Sequence, residues 1–207
     1  MNTKLLYSAC ITALSLLLVS CIFPKYRETE WHVRPDGSIL LKQYSYDMHS
    51  PASHTNKARE AFIKLVKDME PPILTPTPDP DNEGITINLR ELQEKYGGVN
   101  IMQESLMKRE KALELMAAIT SNGYYWMEFD TNEVSIETNG ELVRHPESQG
   151  IVVRWPTNMV YLWYKETTIE EKGISLVGFW REYCAKGQDL AAFGTNEISQ
   201  VTEAPQQ

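Results

Sequence analysis

The chain is poor in cysteine, in histidine and in catalytic motifs, and each shortage excludes something. Its three cysteines are Cys10, Cys21 and Cys184. Two of them stand at or before residue 21, so the body of the chain holds one thiol and no internal disulfide. Cys184 lies among Trp180, Arg181, Glu182 and Tyr183, and reads as a small buried apolar residue. The four histidines, His32, His49, His54 and His145, follow no His-Glu-x-x-His pattern, and Cys-x-x-Cys is missing. A Gly-x-Ser-x-Gly elbow, a phosphate loop and Gly-x-Gly-x-x-Gly are missing too. Basic residues are also short: 20 against 28 acidic, a net charge of −8. That balance argues against nucleic acid and against electrostatic docking on anionic lipid.

What is present begins at the N-terminus. Lys4 precedes an apolar run over residues 5–19, and Leu18-Val19-Ser20-Cys21 closes it. As a helix this run would reach about 22 Å, short of a hydrocarbon core of about 30 Å. Ser8, Thr12, Ser15 and Ser20 interrupt it, and no cluster of charges follows at once. A charged start, a short apolar centre and small residues before a cut mark a secretory signal. An ordinary secretory signal and an uncleaved anchor are the alternatives.

The order Leu18-Val19-Ser20-Cys21 resembles the lipobox of bacterial lipoproteins. That resemblance implies cleavage before Cys21 and acylation of its thiol and new amino group. Two or more acyl chains anchor stably, where one binds reversibly. Ile22 stands where an aspartate would favour inner-membrane retention, so the resemblance leans to the outer membrane, facing the periplasm. Further on, Trp31-His32-Val33-Arg34-Pro35-Asp36-Gly37-Ser38, then Thr138-Asn139-Gly140 and Ile151-Val152-Val153-Arg154-Trp155, resemble stretches of poorly characterised bacterial lipoproteins. That group implies no activity.

The periodicities predict an α+β fold: an antiparallel sheet, from an N-terminal hairpin and a C-terminal meander, with two or three helices packed on it. Residues 1–20 are the expected signal, 21–25 a lipidated tether, 26–187 one domain and 188–207 a polar tail. Two extended runs flank Pro35-Asp36-Gly37, a turn signal, and Thr29, Trp31 and Val33 alternate with charged residues. Residues 53–70 carry a helical stripe from Ala58 to Met69, with Ser53 or Thr55 as a cap and Pro71-Pro72 as a stop. Residues 71–84, rich in proline and acid, form a loop inside the domain. A short helix is expected over 88–96, and another from about Gln103 to Ser121. Strands are expected over 124–129, 133–137, 140–144, 151–155, 160–166 and 174–180.

Candidate chemistry is sparse. Asp47, His49 and His54 read as a solvated loop, because their spacing does not bring two imidazoles to one face; no metal and no cofactor are expected. Glu128 and Asp130 would share a strand face, as a glycosidase pair would, but charged strand ends are commoner. Aromatic residues are the better clue. Trp155, Tyr161 and Trp163 are the binding candidates, and the spacing of Tyr161 and Trp163 puts them on one face. Core packing is the default role of such aromatics, and where exposed they would suit a sugar, peptide or protein surface. The expected role is a non-enzymatic one in envelope structure, assembly or binding. It includes the membrane through lipid on Cys21, an envelope protein or glycan partner, and no nucleic acid. The alternatives are a membrane-tethered hydrolase acting on glycan or peptide, and a periplasmic small-ligand binder.

Overall fold

The computed structural model describes residues 22–129, 134–144, 150–168 and 173–194. The apolar run, Cys21, Asp130, His145 and residues 195–207 lie outside them. Two antiparallel sheets and short helices make an α+β fold.

The N-terminal hairpin pairs β1 (Phe23–Val33) with β2 (Ile39–Ser50). Its turn is fixed locally. Asp36 Oδ1 accepts hydrogen bonds from the Ser38 backbone N–H at 2.9 Å and from the Ser38 hydroxyl at 2.7 Å. Gly37 adopts φ 83°, which a side chain would resist. Helix α1 (Thr55–Met69) buries Ala58, Ala61, Phe62, Leu65, Val66 and Met69, the stripe its spacing predicts. Its N-cap is His54, whose side chain makes no capping bond, so neither Ser53 nor Thr55 takes that role.

The next region departs from expectation. Residues 88–96 are not a helix but most of β4 (Ile85–Lys95), which pairs with β5 (Gly98–Met107). Leu, Arg, Glu, Gln and Lys are good helix formers, yet Tyr96 and Gly97 both take positive φ and close a two-residue hairpin. Cross-strand pairing then overrides local propensity. Strand β3 (Thr77–Pro78), in the proline-rich stretch, edges β4. The helix expected from Gln103 is shorter and later, α2 (Arg109–Ile119). It leads into β6 (Thr120–Ser121), and Asn122-Gly123 turns the chain into β7 (Tyr124–Phe129).

The meander continues as β8 (Val134–Thr138), β9 (Glu141–Arg144), β10 (Ile151–Pro156) and β11 (Tyr161–Thr168). Residues 174–180 are not one strand. Ile174–Ser175 form the short β12, and α3 (Val177–Ala185) follows. Cys184 is exposed on α3, which corrects its expected burial. Phe179 and Tyr183 take the inward stripe, and the next residue turns about 100° away from it. The tail is not wholly polar coil: α4 (Leu190–Gly194) inserts Phe193, fully buried. Arg59 holds this end, stacked 4.5 Å from the Phe193 ring centroid and doubly bonded to Glu182.

The large sheet runs β3-β4-β5-β2-β1-β11-β8, with β12 beside β2, and the small one β6-β7-β10-β9. Among the described residues the two buried clusters lie on one face of the large sheet. At one end Trp31, Leu41, Met107 and Leu162 meet α2 and the small sheet through Met127, Val153 and Trp155. At the other, Met48, Val99 and Ile101 meet α1, α3 and α4.

Candidate functional site

The alternation that packs the inner face puts the other residues of β1, β2 and β11 outward. Glu28 faces Tyr44 on β2 and Lys165 on β11, and Glu30 faces Lys42 and Trp163. Tyr26 pairs with Tyr46, and His32 with Tyr161. The outer face is therefore an aromatic and acidic array that sequence reasoning credited only with Tyr161 and Trp163.

Its geometry is ordered. The rings of Tyr26 and Tyr46 stack at 4.7 Å, and those of Tyr46 and Tyr44 at 6.0 Å. Lys165 Nζ lies 5.1 Å from the Tyr26 centroid, capping the row with a cation. Trp163 Nε1 donates to Glu28 Oε1 at 2.6 Å, and the Tyr46 hydroxyl donates to Glu28 Oε2 at 3.4 Å. His32 Nε2 is 2.9 Å from Glu30 Oε2, and its ring lies 4.9 Å from that of Tyr161. Burial, with Glu28 second, pushes the Tyr46 phenol up to about 12. Burial likewise raises Tyr44 and Tyr161, with Glu30 next. These hydroxyls remain protonated donors at neutral pH.

Trp155 does not belong to this surface. It is fully buried between the sheets, and its Nε1 donates to Asn139 Oδ1 at 2.8 Å. Strand β10 lies in the other sheet and turns Trp155 inward, so the binding expectation fails there for lack of access. Tyr161 is 38% exposed and Trp163 half-buried, so both can meet a partner.

The inner face carries the second feature. Between its two apolar clusters runs a polar row in strict register: Arg90, Gln103, Gln43, Thr29 and Tyr164, one from each of β4, β5, β2, β1 and β11. The next row holds Ser45, Arg27 and Glu166. Arg27 lies 3.7 Å from Glu166, whose carboxyl is pushed up by burial against the pull of that guanidinium. Over these rows opens a cavity of about 410 Å³, covered by the proline-rich stretch and the end of α1. Arg27 and Gln43 stood in the inward register of the hairpin and were readable there. Arg90 was hidden by the helical reading of its segment.

The remaining candidates do not converge. Asp47 and His49 lie in β2 rather than in a loop, with His49 Nε2 3.1 Å from Asp47 Oδ2 but outside hydrogen-bond geometry. His54 begins α1. Among the described residues no three His, Cys, Asp or Glu side chains group to hold a metal. Glu128 is exposed on β7, and Asp130 lies outside the described residues. Among the described residues no helix is long and apolar enough to cross a membrane. No family model, no curated protein and no solved structure matches this chain.

Proposed function

We propose that this is a lipid-anchored envelope protein with a non-enzymatic binding role, docking a protein partner on the outer face of its large sheet. The observation that carries the reading is the stacked row Lys165-Tyr26-Tyr46-Tyr44 beside Trp163 and Glu28. Ring faces in that row are turned to one another and to a lysine. A sugar needs an open ring face, whereas Tyr26 and Tyr46 have neighbours on both faces and offer edges and hydroxyls. Aromatic residues with both an apolar body and a polar tip suit protein interfaces. Glu28 has no cation in ion-pair contact among the described residues, and the chain carries net −8, so the partner surface is basic and apolar.

The anchor in this reading is Cys21. Strand β1 begins at Phe23, so Phe23 to Lys25 belong to the sheet and the tether is shorter than residues 21–25. At about 3.5 Å per residue the strand starts within about 7 Å of the acylated cysteine. The Phe23 end of the sheet then rests at the bilayer, with the aromatic row rising from it.

A photoreactive residue at Tyr161 tests the docking in native envelopes, with Leu142 on the small sheet as the control site. One discrete protein adduct from Tyr161 and none from Leu142 is expected. Adducts to glycan, or equal adducts from both sites, overturn the reading. Mass spectrometry of Cys21 tests the anchor, which is lost if that residue is unmodified.

A further inference from the structure

We infer that the inner-face cavity is a binding site for a small molecule bearing a single carboxylate on an apolar body, held by Arg90. This goes beyond the docking of a partner on the outer face, and rests on treating the cavity as a ligand site. Arg27, Arg59, Arg154 and Arg181 each pair with a glutamate. Among the described residues Arg90, like the exposed Arg34 and Arg109, pairs with none, but its Nε alone among them is buried without a hydrogen-bond partner. A buried donor left unpaired is destabilising, more so on a charged group, and such groups in a native fold call for an acceptor. The guanidinium fork matches a carboxylate with two parallel bonds.

The surroundings narrow the class. Gln103 and Gln43 continue the row from Arg90 across the floor and add amide donors. Leu41, Ile87, Ile101 and Met107 line the same space and would cover an aliphatic or aromatic body. A volume of about 410 Å³ falls in the range of small-molecule sites, roughly 300–1,000 Å³. Asp68, Asp79 and Asp81 come from the covering side and also line the cavity. Their charge disfavours phosphates and other polyanions, while one carboxylate aimed at the floor stays away from them.

The test is calorimetric titration of the full chain in detergent with octanoate and 4-phenylbutyrate, against octanamide, 4-phenylbutyramide and inorganic phosphate. Subtracting a titration of protein-free detergent cancels uptake by micelles. At least one carboxylate is expected to bind tenfold or more tightly than its amide, with that advantage lost in Arg90→Gln and partly kept in Arg90→Lys. Phosphate gives no saturable heat. Arg90→Gln is compared only if its circular dichroism melt is cooperative; otherwise Gln103→Leu, in the same row, replaces it. The proposal is overturned if neither carboxylate outbinds its amide, or if the variant binds as wild type does. Trp163→Ala should bind the carboxylate unchanged, so failure of the outer-face reading and failure of this one are read separately.

Discussion

The two faces of the large sheet are made by alternate residues of the same strands, yet they do opposite work. Inward, Trp31, Leu41 and Leu162 are closed against helices and the second sheet. Outward, Glu28, Tyr44 and Trp163 stand half-buried in a row that bonds mostly to itself. Aromatic content alone therefore does not locate a surface. Trp155 and Trp163 both lie in strands with period-two alternation, and only the sheet and face each strand joins decides which is core. The inner face also breaks its own rule, with a polar row where two apolar clusters could have merged.

The largest expected effect falls on the closed side. Trp155→Ala should cost about 3–5 kcal/mol in urea unfolding, from lost burial and the cavity left behind. Trp163→Ala should cost only about 1–2 kcal/mol, mostly its bond to Glu28. Equal losses would erase the distinction between the faces. Gly140→Ala comes next, at about 1–3 kcal/mol. A Cβ there would meet Trp155 Nε1 at 2.6 Å and Val153 Cγ1 at 2.7 Å, both fixed inside the core. A neutral result would mean that the sheets yield more readily than their packing implies.

On the open side Tyr46→Phe should cost about 1 kcal/mol or less, because the hydroxyl meets Glu28 at a long 3.4 Å. The tyrosine absorbance change on alkaline titration should lose one of its late components, since this phenol, like that of Tyr164, is pushed up to about 12, while burial raises Tyr183 further still. The smallest effect is on the inner polar rows. Glu166 has its folded pKa raised above its ordinary value of 4.5, chiefly by burial. Its contribution is therefore full below that value and is lost as pH rises through the folded pKa. Glu166→Gln should match wild type near pH 3.5 and be slightly more stable at pH 7. A difference independent of pH would show that burial of charge is not what matters there.

Much of the fold could be read from the chain, for local reasons. Pro35-Asp36-Gly37 carries its own turn bonds, and α1 follows from a six-residue apolar stripe ended by Pro71. The misread elements share one cause. Residues 88–96 and 174–180 have propensities that disagree with their partners: β4 is held by β5, and Val177–Ala185 is helical because Phe179 and Tyr183 pack against Phe62. The candidate site was half legible. Alternation placed Tyr161 with Trp163, but Tyr26, Tyr44 and Tyr46 become neighbours only through register.

By itself the sequence determined the hairpin turn, the first helix, the acidic balance and the apolar run that ends at Cys21, because each depends on residues close together in the chain. Tertiary structure alone decided which tryptophan is buried, which tyrosines stack, and that Arg90 meets Gln103 and Gln43 over a cavity. Those outcomes depend on pairing between strands far apart in sequence, and a shift of one residue in register would turn every one of those side chains to the opposite face.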